Sequence, residues 1–328
     1  MSEPVLKTEN LVLHFKKSRS LLEMLTGEPA KSVQALNGVS LDLQKSETLG
    51  IVGESGCGKS TLARAIAGLY KPQSGEIEFH GVSTANNKGA ALREYNRRVQ
   101  MIFQDPYSSL NPRLRVGDML REALSVHNMR PPEEIDTRIY ELLDLVRLPR
   151  DAADKLPHEF SGGQRQRIAI ARALSVEPEV LIADELVSAL DVSVQAQVVN
   201  LLLTLQEDLG LTVLFVAHDL RLVRHVSHRV AVIYLGSVVE IGSASGLFAN
   251  PKHPYSQALL SAAPSLDPDE KGNQIVLTGE LPSPLNIPTG CAFNGRCPIA
   301  QDICRQQKPV LQGNPKTGQV ACHLVDPT

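Results

Sequence analysis

Gly53-Glu54-Ser55-Gly56-Cys57-Gly58-Lys59-Ser60 fits the pattern G-x-x-x-x-G-K-[ST], and those residue types at that spacing suit the binding of a polyphosphate. Glycines let the chain curl until successive N–H groups point inward at phosphate oxygens. Lys59 supplies a mobile point charge for the β- and γ-phosphates, the Ser60 hydroxyl is a ligand for Mg²⁺, and Thr61 follows it in the first helical turn. A second constellation is Asp184-Glu185, two carboxylates directly after the apolar run Val180–Ala183. Asp184 suits Mg²⁺ binding, directly or through water. Glu185 suits orienting or deprotonating an attacking water. The third constellation is Ser161-Gly162-Gly163-Gln164, which opens an apolar helical pattern. Such a start leaves backbone N–H groups approachable by an anion, or else is a capped helix whose glycines permit close packing. One phosphate loop and two anion sites in one chain suggest two copies sharing nucleotide.

These groups need strand ends and helix starts, and the chain from Thr48 to about Gly242 supplies both. Thr48–Val52, Val99–Phe103, Val180–Ala183, Thr212–Ala217 and Arg229–Tyr234 are short, apolar and β-branched, as buried strands are. Helical patterns at Ser60–Leu69, Pro132–Val146, Gly163–Leu174 and Val192–Leu209 alternate with them. That alternation predicts an α/β fold with a parallel sheet covered on both faces. Pro131 and Pro132 open one helix, where a missing N–H costs nothing. Before this region, Leu11–Phe15 and Val33–Leu43 read as strands around a Lys/Ser/Gly loop. Beyond Pro264 the chain turns rich in Pro and Gly.

Composition removes several classes of function. The 328 residues carry 33 Lys+Arg against 36 Asp+Glu, a formal charge of -3, so the chain lacks the basic excess that grips nucleic acid. Aromatics are 4% and Trp is absent, so a base-stacking platform is not expected. The most apolar stretches, Val198–Leu205 and Leu211–Ala217, are far shorter than the ~18–20 residues that span a bilayer. MSEPVLKTEN has no secretory pattern, so a cytosolic chain is expected, with any membrane association made through a partner.

Five cysteines in that compartment are not expected to form stable disulfides. Cys291, Cys297, Cys304 and Cys322 are spaced C-x5-C-x6-C-x17-C. Four thiolates in a Pro-rich segment favour a soft metal or a cluster, and spacing alone leaves zinc and iron–sulfur both open. Cys57 is separate. Its place at a helix N-terminus beside Lys59 would favour a thiolate, but the preferred reading is a small residue that fits the turn.

In this order and on these strand ends, the motifs resemble those of the ATP-binding subunits of ABC transporters, over Val5 to Gly242. Ser161-Gly162-Gly163-Gln164 is similar to the family signature, and Asp184-Glu185 to its magnesium and catalytic acids. Gln104 matches the Q-loop glutamine, which senses Mg²⁺ and the attacking water. Ser188-Ala189-Leu190-Asp191 matches the D-loop, and His218 the switch histidine. Phe15 falls where the family stacks an aromatic ring on adenine. The resemblance implies an ATPase in which Gly53, Ser55, Gly56, Cys57, Gly58, Lys59, Ser60 and Thr61 hold ATP and Mg²⁺. A second subunit then covers the γ-phosphate with its own signature.

A closer resemblance, to the ATPases of dipeptide and oligopeptide importers, rests on Phe103–Pro112, on His253–Leu260, and on Glu280–Pro284 with Gly290–Phe293. It implies an ABC ATPase domain over 1–263, with an antiparallel β subdomain and a helical subdomain at about 105–178, followed by a C-terminal extension over 264–328. It also implies a [4Fe-4S] cluster on the four tail cysteines, with zinc as the alternative. The implied partners are a second, paralogous ATPase subunit, two transmembrane permeases and an extracytoplasmic solute-binding protein, at the cytoplasmic face of the inner membrane. Nickel and glycoside importers share the subfamily. A soluble ABC ATPase acting on ribosomes or DNA, and a redox-sensing module, are the rival readings. The subfamily carries Pro after the catalytic Glu where this chain has Leu186, which predicts a looser aim for Glu185.

Overall fold

The computed structural model describes residues 3–16, 32–105, 109–262, 275, 277, 279–314 and 317–326. The loop between the first two strands, Pro106 to Ser108, and the junction expected at 263/264 lie outside these residues. The chain forms two compact units built from interleaved segments.

One unit holds Leu43–Thr48 and Asn86–Ala217. Its centre is three parallel strands, Val99–Ile102, Val180–Asp184 and Thr212–Val216, in register at Val99↔Val180, Val180↔Thr212 and Asp184↔Val216. Every residue of the last two is buried, which is why their sequences run apolar without alternation. The helices Gly89–Arg98, Val116–Val126, Ile135–Leu145, Gly162–Leu174 and Val192–Leu209 complete it. The helix predicted over Pro132–Val146 starts later than expected. Pro131 is extended, Pro132–Glu134 makes one 3₁₀ turn, and the α-helix proper is Ile135–Leu145. Gly210, at φ 62°, ends Val192–Leu209 in the left-handed conformation that glycine adopts freely.

The other unit holds Leu6–Asp42, Leu49–Ala85 and the described part of His218–Thr328. It contains an antiparallel sheet in the order Ser32–Leu43, Leu6–Lys16, Ser74–Phe79, Val82–Ser83. It also contains Leu49–Val52 paired in parallel with Arg229–Tyr234, which in turn pairs antiparallel with Ser237–Ser243. The sheet that holds Leu49–Val52 is therefore mixed. Tyr234, Tyr255 and Phe293 are fully buried, with ring centroids 4.6 to 5.5 Å apart, and make an aromatic core behind the phosphate loop. The helix read as Ser60–Leu69 runs Lys59–Ile66 and stops before Gly68, at φ 75°.

Candidate functional site

The phosphate loop is shaped by two backbones pressed against it. A Cβ on Gly53 (φ 153°) would lie 2.2 Å from the Ile233 carbonyl oxygen, and one on Gly58 (φ 108°) 2.4 Å from that of Ala35. Neither position admits a side chain. Gly58 is the N-cap of Lys59–Ile66; no side chain caps this helix and its first turn holds no acid. Its positive end is therefore left for an external anion. Lys59 is buried, and its ammonium donates to the carbonyls of Gly53 (2.8 Å) and Glu54 (3.0 Å). An ammonium held by two neutral carbonyls gains on exchanging them for charged phosphate oxygens. Ser55 and Gly56 form the exposed tip, while Ser60 and Thr61 are half-buried in the first turn.

At Cys57 the surroundings favour the turn-filler reading over the reactive thiolate. Burial pushes its thiol above the usual range against the opposing pull of Lys59, because desolvating a sulfur anion outweighs one neighbouring charge. Its sulfur lies 2.7 Å from where a Gly53 Cβ would be, so it fills the turn as a small residue.

Glu54 is the member of the loop that motif reading passed over. Its N–H donates to Tyr255 Oη at 2.9 Å. Its carboxylate accepts two bonds from Arg296, at 2.9 and 3.1 Å. The signal available in the sequence was an acid inside an anion-binding loop, which requires a counter-charge.

In the other unit, Asp184 ends its strand almost wholly buried. At Glu185 the backbone turns left-handed (φ 48°). The Glu185 N–H donates to the Val216 carbonyl at 2.9 Å, and its own carbonyl accepts from Ser188 N (3.1 Å) and Oγ (3.0 Å). The looser aim expected from Leu186 is not seen at this peptide, which is pinned on both sides while Leu186 buries its side chain. Gln104 Nε2 donates to Glu185 Oε2 at 2.6 Å, so the structure brings these two predicted residues together.

Ser161 is the N-cap of Gly162–Leu174, and the turn closes on itself. Gln164 N–H donates to Ser161 Oγ (3.4 Å) and Ser161 N–H to Gln164 Oε1 (3.0 Å), a reciprocal capping box. A Cβ on Gly163 would lie 2.3 Å from Val194 Cγ1, and one on Gly162 3.1 Å from Leu190 Cδ2. Here the close-packing reading describes the chain's own contacts. Phe15 is 38% exposed and meets Tyr70 edge-on at 5.2 Å, and His218 is exposed.

The five cysteines are free thiols. Among the described residues, no group of three or more His, Cys, Asp or Glu side chains is arranged to hold a metal ion. The tail cysteines therefore do not form the ready-made ligand set that was expected. Their surroundings nonetheless suit sulfur ligands. Cys322 Sγ accepts the Leu324 N–H at 3.5 Å. Burial first, and then the three other tail thiols, push Cys291 up to about 11. A soft metal or cluster bound there would reverse that preference.

A strand, a glycine loop and a helix around a buried lysine, together with a glutamine-bound glutamate after a buried acid, define an ATP-binding cassette ATPase. The chain belongs to the ABC transporter family: residues 36–188 match the ABC transporter family, and residues 239–304 match the oligopeptide/dipeptide transporter C-terminal region. It is 49% identical over 325 residues, with 98% of each chain covered, to the oligopeptide transport ATP-binding protein AppF of Bacillus subtilis. It is 50% identical over 303 residues, 92% of this chain and 90% of the relative, to the OppF proteins of Salmonella typhimurium and Escherichia coli. Among solved structures it is similar to the dimeric ATP-binding cassette MJ0796 bound to ADP and Pi, with TM-score 0.62 and 28% identity over 73% of this chain and 98% of that one. It is also similar to cbiO1 of Clostridium perfringens, with TM-score 0.64 and 29% identity over 76% and 92%.

Proposed function

We propose that this ATPase is the motor subunit of an importer that takes up dipeptides or oligopeptides across the cytoplasmic membrane. The observation that carries the peptide reading is the match of residues 239–304 to the C-terminal region of oligopeptide and dipeptide transporters, in a chain alike to such ATP-binding proteins along nearly its whole length. In this reading the boundary between cassette and extension falls at 263/264.

Each site residue then has a task. Gly53 to Thr61 hold the phosphates, with Lys59 on the β- and γ-oxygens and Ser60 on Mg²⁺. Asp184 and Gln104 attend the same ion. Glu185 aligns the attacking water, and its bond to Gln104 supports that role. His218 steadies the γ-phosphate, and adenine lies against Phe15. Catalysis is positioning plus charge neutralisation. Ser161 to Gln164 serve the nucleotide of a second ATPase subunit and receive the same service in return, a reading supported by the dimer reported for MJ0796. Two permeases and an extracytoplasmic binding protein complete the assembly at the inner membrane, which fits a chain whose described helices are too short or too polar to span one.

Cys291, Cys297, Cys304 and Cys322 would hold a [4Fe-4S] cluster that braces the extension. The Leu324 N–H donated to Cys322 Sγ supports this reading, since such bonds stabilise cluster sulfur.

Uptake of a labelled tripeptide by cells carrying Lys59→Ala in this chain tests the proposal. Loss of peptide uptake is expected. Retained peptide uptake with lost nickel or glycoside uptake moves the substrate to another small solute.

A further inference from the structure

Glu54 places a negative charge inside a loop whose task is to receive a triphosphate. Three contacts fix this residue. Lys59 takes its carbonyl, Tyr255 Oη takes its N–H, and Arg296 grips its carboxylate with two N–H groups at 2.9 and 3.1 Å. Two of the three come from far along the chain, Arg296 from 242 residues away. The grip is largely dry: the Arg296 side chain is 9% exposed and that of Glu54 26%. Arg296 is itself held, with Tyr234 Oη at 3.5 Å and the Tyr234 ring centroid at 6.0 Å. Phe293, three residues before it, packs against both Tyr234 and Tyr255. Arg296 also directly precedes Cys297, so the segment bearing the thiols carries this guanidinium.

We propose that Arg296 and Tyr255 are positioning residues for nucleotide binding, and that the C-terminal segment is a working part of the phosphate loop. The inference rests on the reading of Gly53–Thr61 as the ATP site. Arg296 neutralises Glu54, so the loop meets the incoming phosphates without a facing carboxylate. Its two-bond geometry also sets the plane of the loop, because a guanidinium fork fits a carboxylate in one orientation. Tyr255 fixes the Gly53–Glu54 peptide, whose carbonyl, that of Gly53, accepts from Lys59. Removing the arginine alone strands a half-buried carboxylate beside the phosphates. Removing the carboxylate as well relieves it.

The test is equilibrium binding of Mg²⁺-ATP to the full-length chain, by calorimetry, with thermal melting and iron content recorded for each variant. Arg296→Ala is expected to weaken binding about tenfold, as loss of a charge-assisted pair beside an anion does. Glu54→Gln in the same chain is expected to recover most of that loss, which a purely structural role for Arg296 would not produce. Arg296→Lys retains the charge without the fork and falls between. Tyr255→Phe, which leaves the thiol segment untouched, weakens binding about threefold through one lost hydrogen bond. The inference is overturned if Arg296→Ala and Tyr255→Phe both bind within twofold of the parent, or if Glu54→Gln brings no recovery. Lys59→Ala is the control. If it binds like the parent, the ATP site itself is misplaced and both readings fall. If it abolishes binding while Arg296→Ala does not, this inference alone is lost.

Discussion

Two glycine turns open two helices in this molecule, and they solve the same problem in opposite ways. At Gly58 the helix start has no side-chain cap and no acid in its first turn. At Ser161 the serine and Gln164 satisfy each other's N–H groups. The glycines differ accordingly. Gly53 and Gly58 have positive φ and lie against carbonyls, whereas Gly162 and Gly163 make room for Leu190 and Val194. A helix start that has met its own needs has little left for an anion, and one that has not is an anion site before any ligand arrives. The first turn should therefore govern the chain's own affinity for nucleotide, and on the proposed function the second should act only when a partner subunit is present.

That contrast can be broken by substitution. Lys59→Ala removes charge-assisted bonds of ~1.5–3 kcal/mol each, so Mg²⁺-ATP binding should weaken on the order of a hundredfold in calorimetry. Glu185→Gln should retain binding while turnover by the assembled ATPase falls on the order of a hundredfold or more, as expected for loss of the group that aligns water. Phosphate release after rapid mixing separates the two effects. Gly163→Ala should cost about 1–3 kcal/mol in urea unfolding, because a β-branched side chain stands 2.3 Å from the new methyl. Val194→Ala should restore part of it. Ser161→Ala should cost about 1 kcal/mol as a lost cap. It should lower turnover of the assembled ATPase, while the isolated chain's affinity falls far less than with Lys59→Ala. An isolated chain that lost ATP equally on Ser161→Ala and Lys59→Ala would erase the distinction.

The buried strands and the phosphate loop were legible because unbroken apolar runs and fixed glycine spacing are local signals. Arg229–Tyr234 and Val192–Leu209 came out with the expected bounds. Gly89–Arg98 was missed because Tyr95 is the residue it buries, leaving no apolar periodicity to read. Val116–Val126 has a buried stripe at Val116, Met119, Leu120 and Leu124, and its start at Arg115 carries no side-chain cap that would mark its bound. The pairing of Gln104 with Glu185 was legible as two strand-end residues, without its geometry. The grip of Arg296 on Glu54 was invisible, since nothing local announces an ion pair that spans most of the chain.

The extension also finishes a sheet. Gly318–Val320 lies antiparallel to Ser237–Ser243, with Glu240 opposite Val320 and Gly242 opposite Gly318, and Gln312–Asn314 pairs outside it as a short, exposed strand. Cutting the chain before residue 312 would bare the strand margin at Glu240–Gly242 with open hydrogen-bonding groups, the kind of surface that recruits other polypeptides into aggregates. Shortened versions made for crystallisation or expression would thus be prone to clumping for a reason unrelated to nucleotide, and grafting a polar three-residue hairpin onto that margin would be the natural remedy.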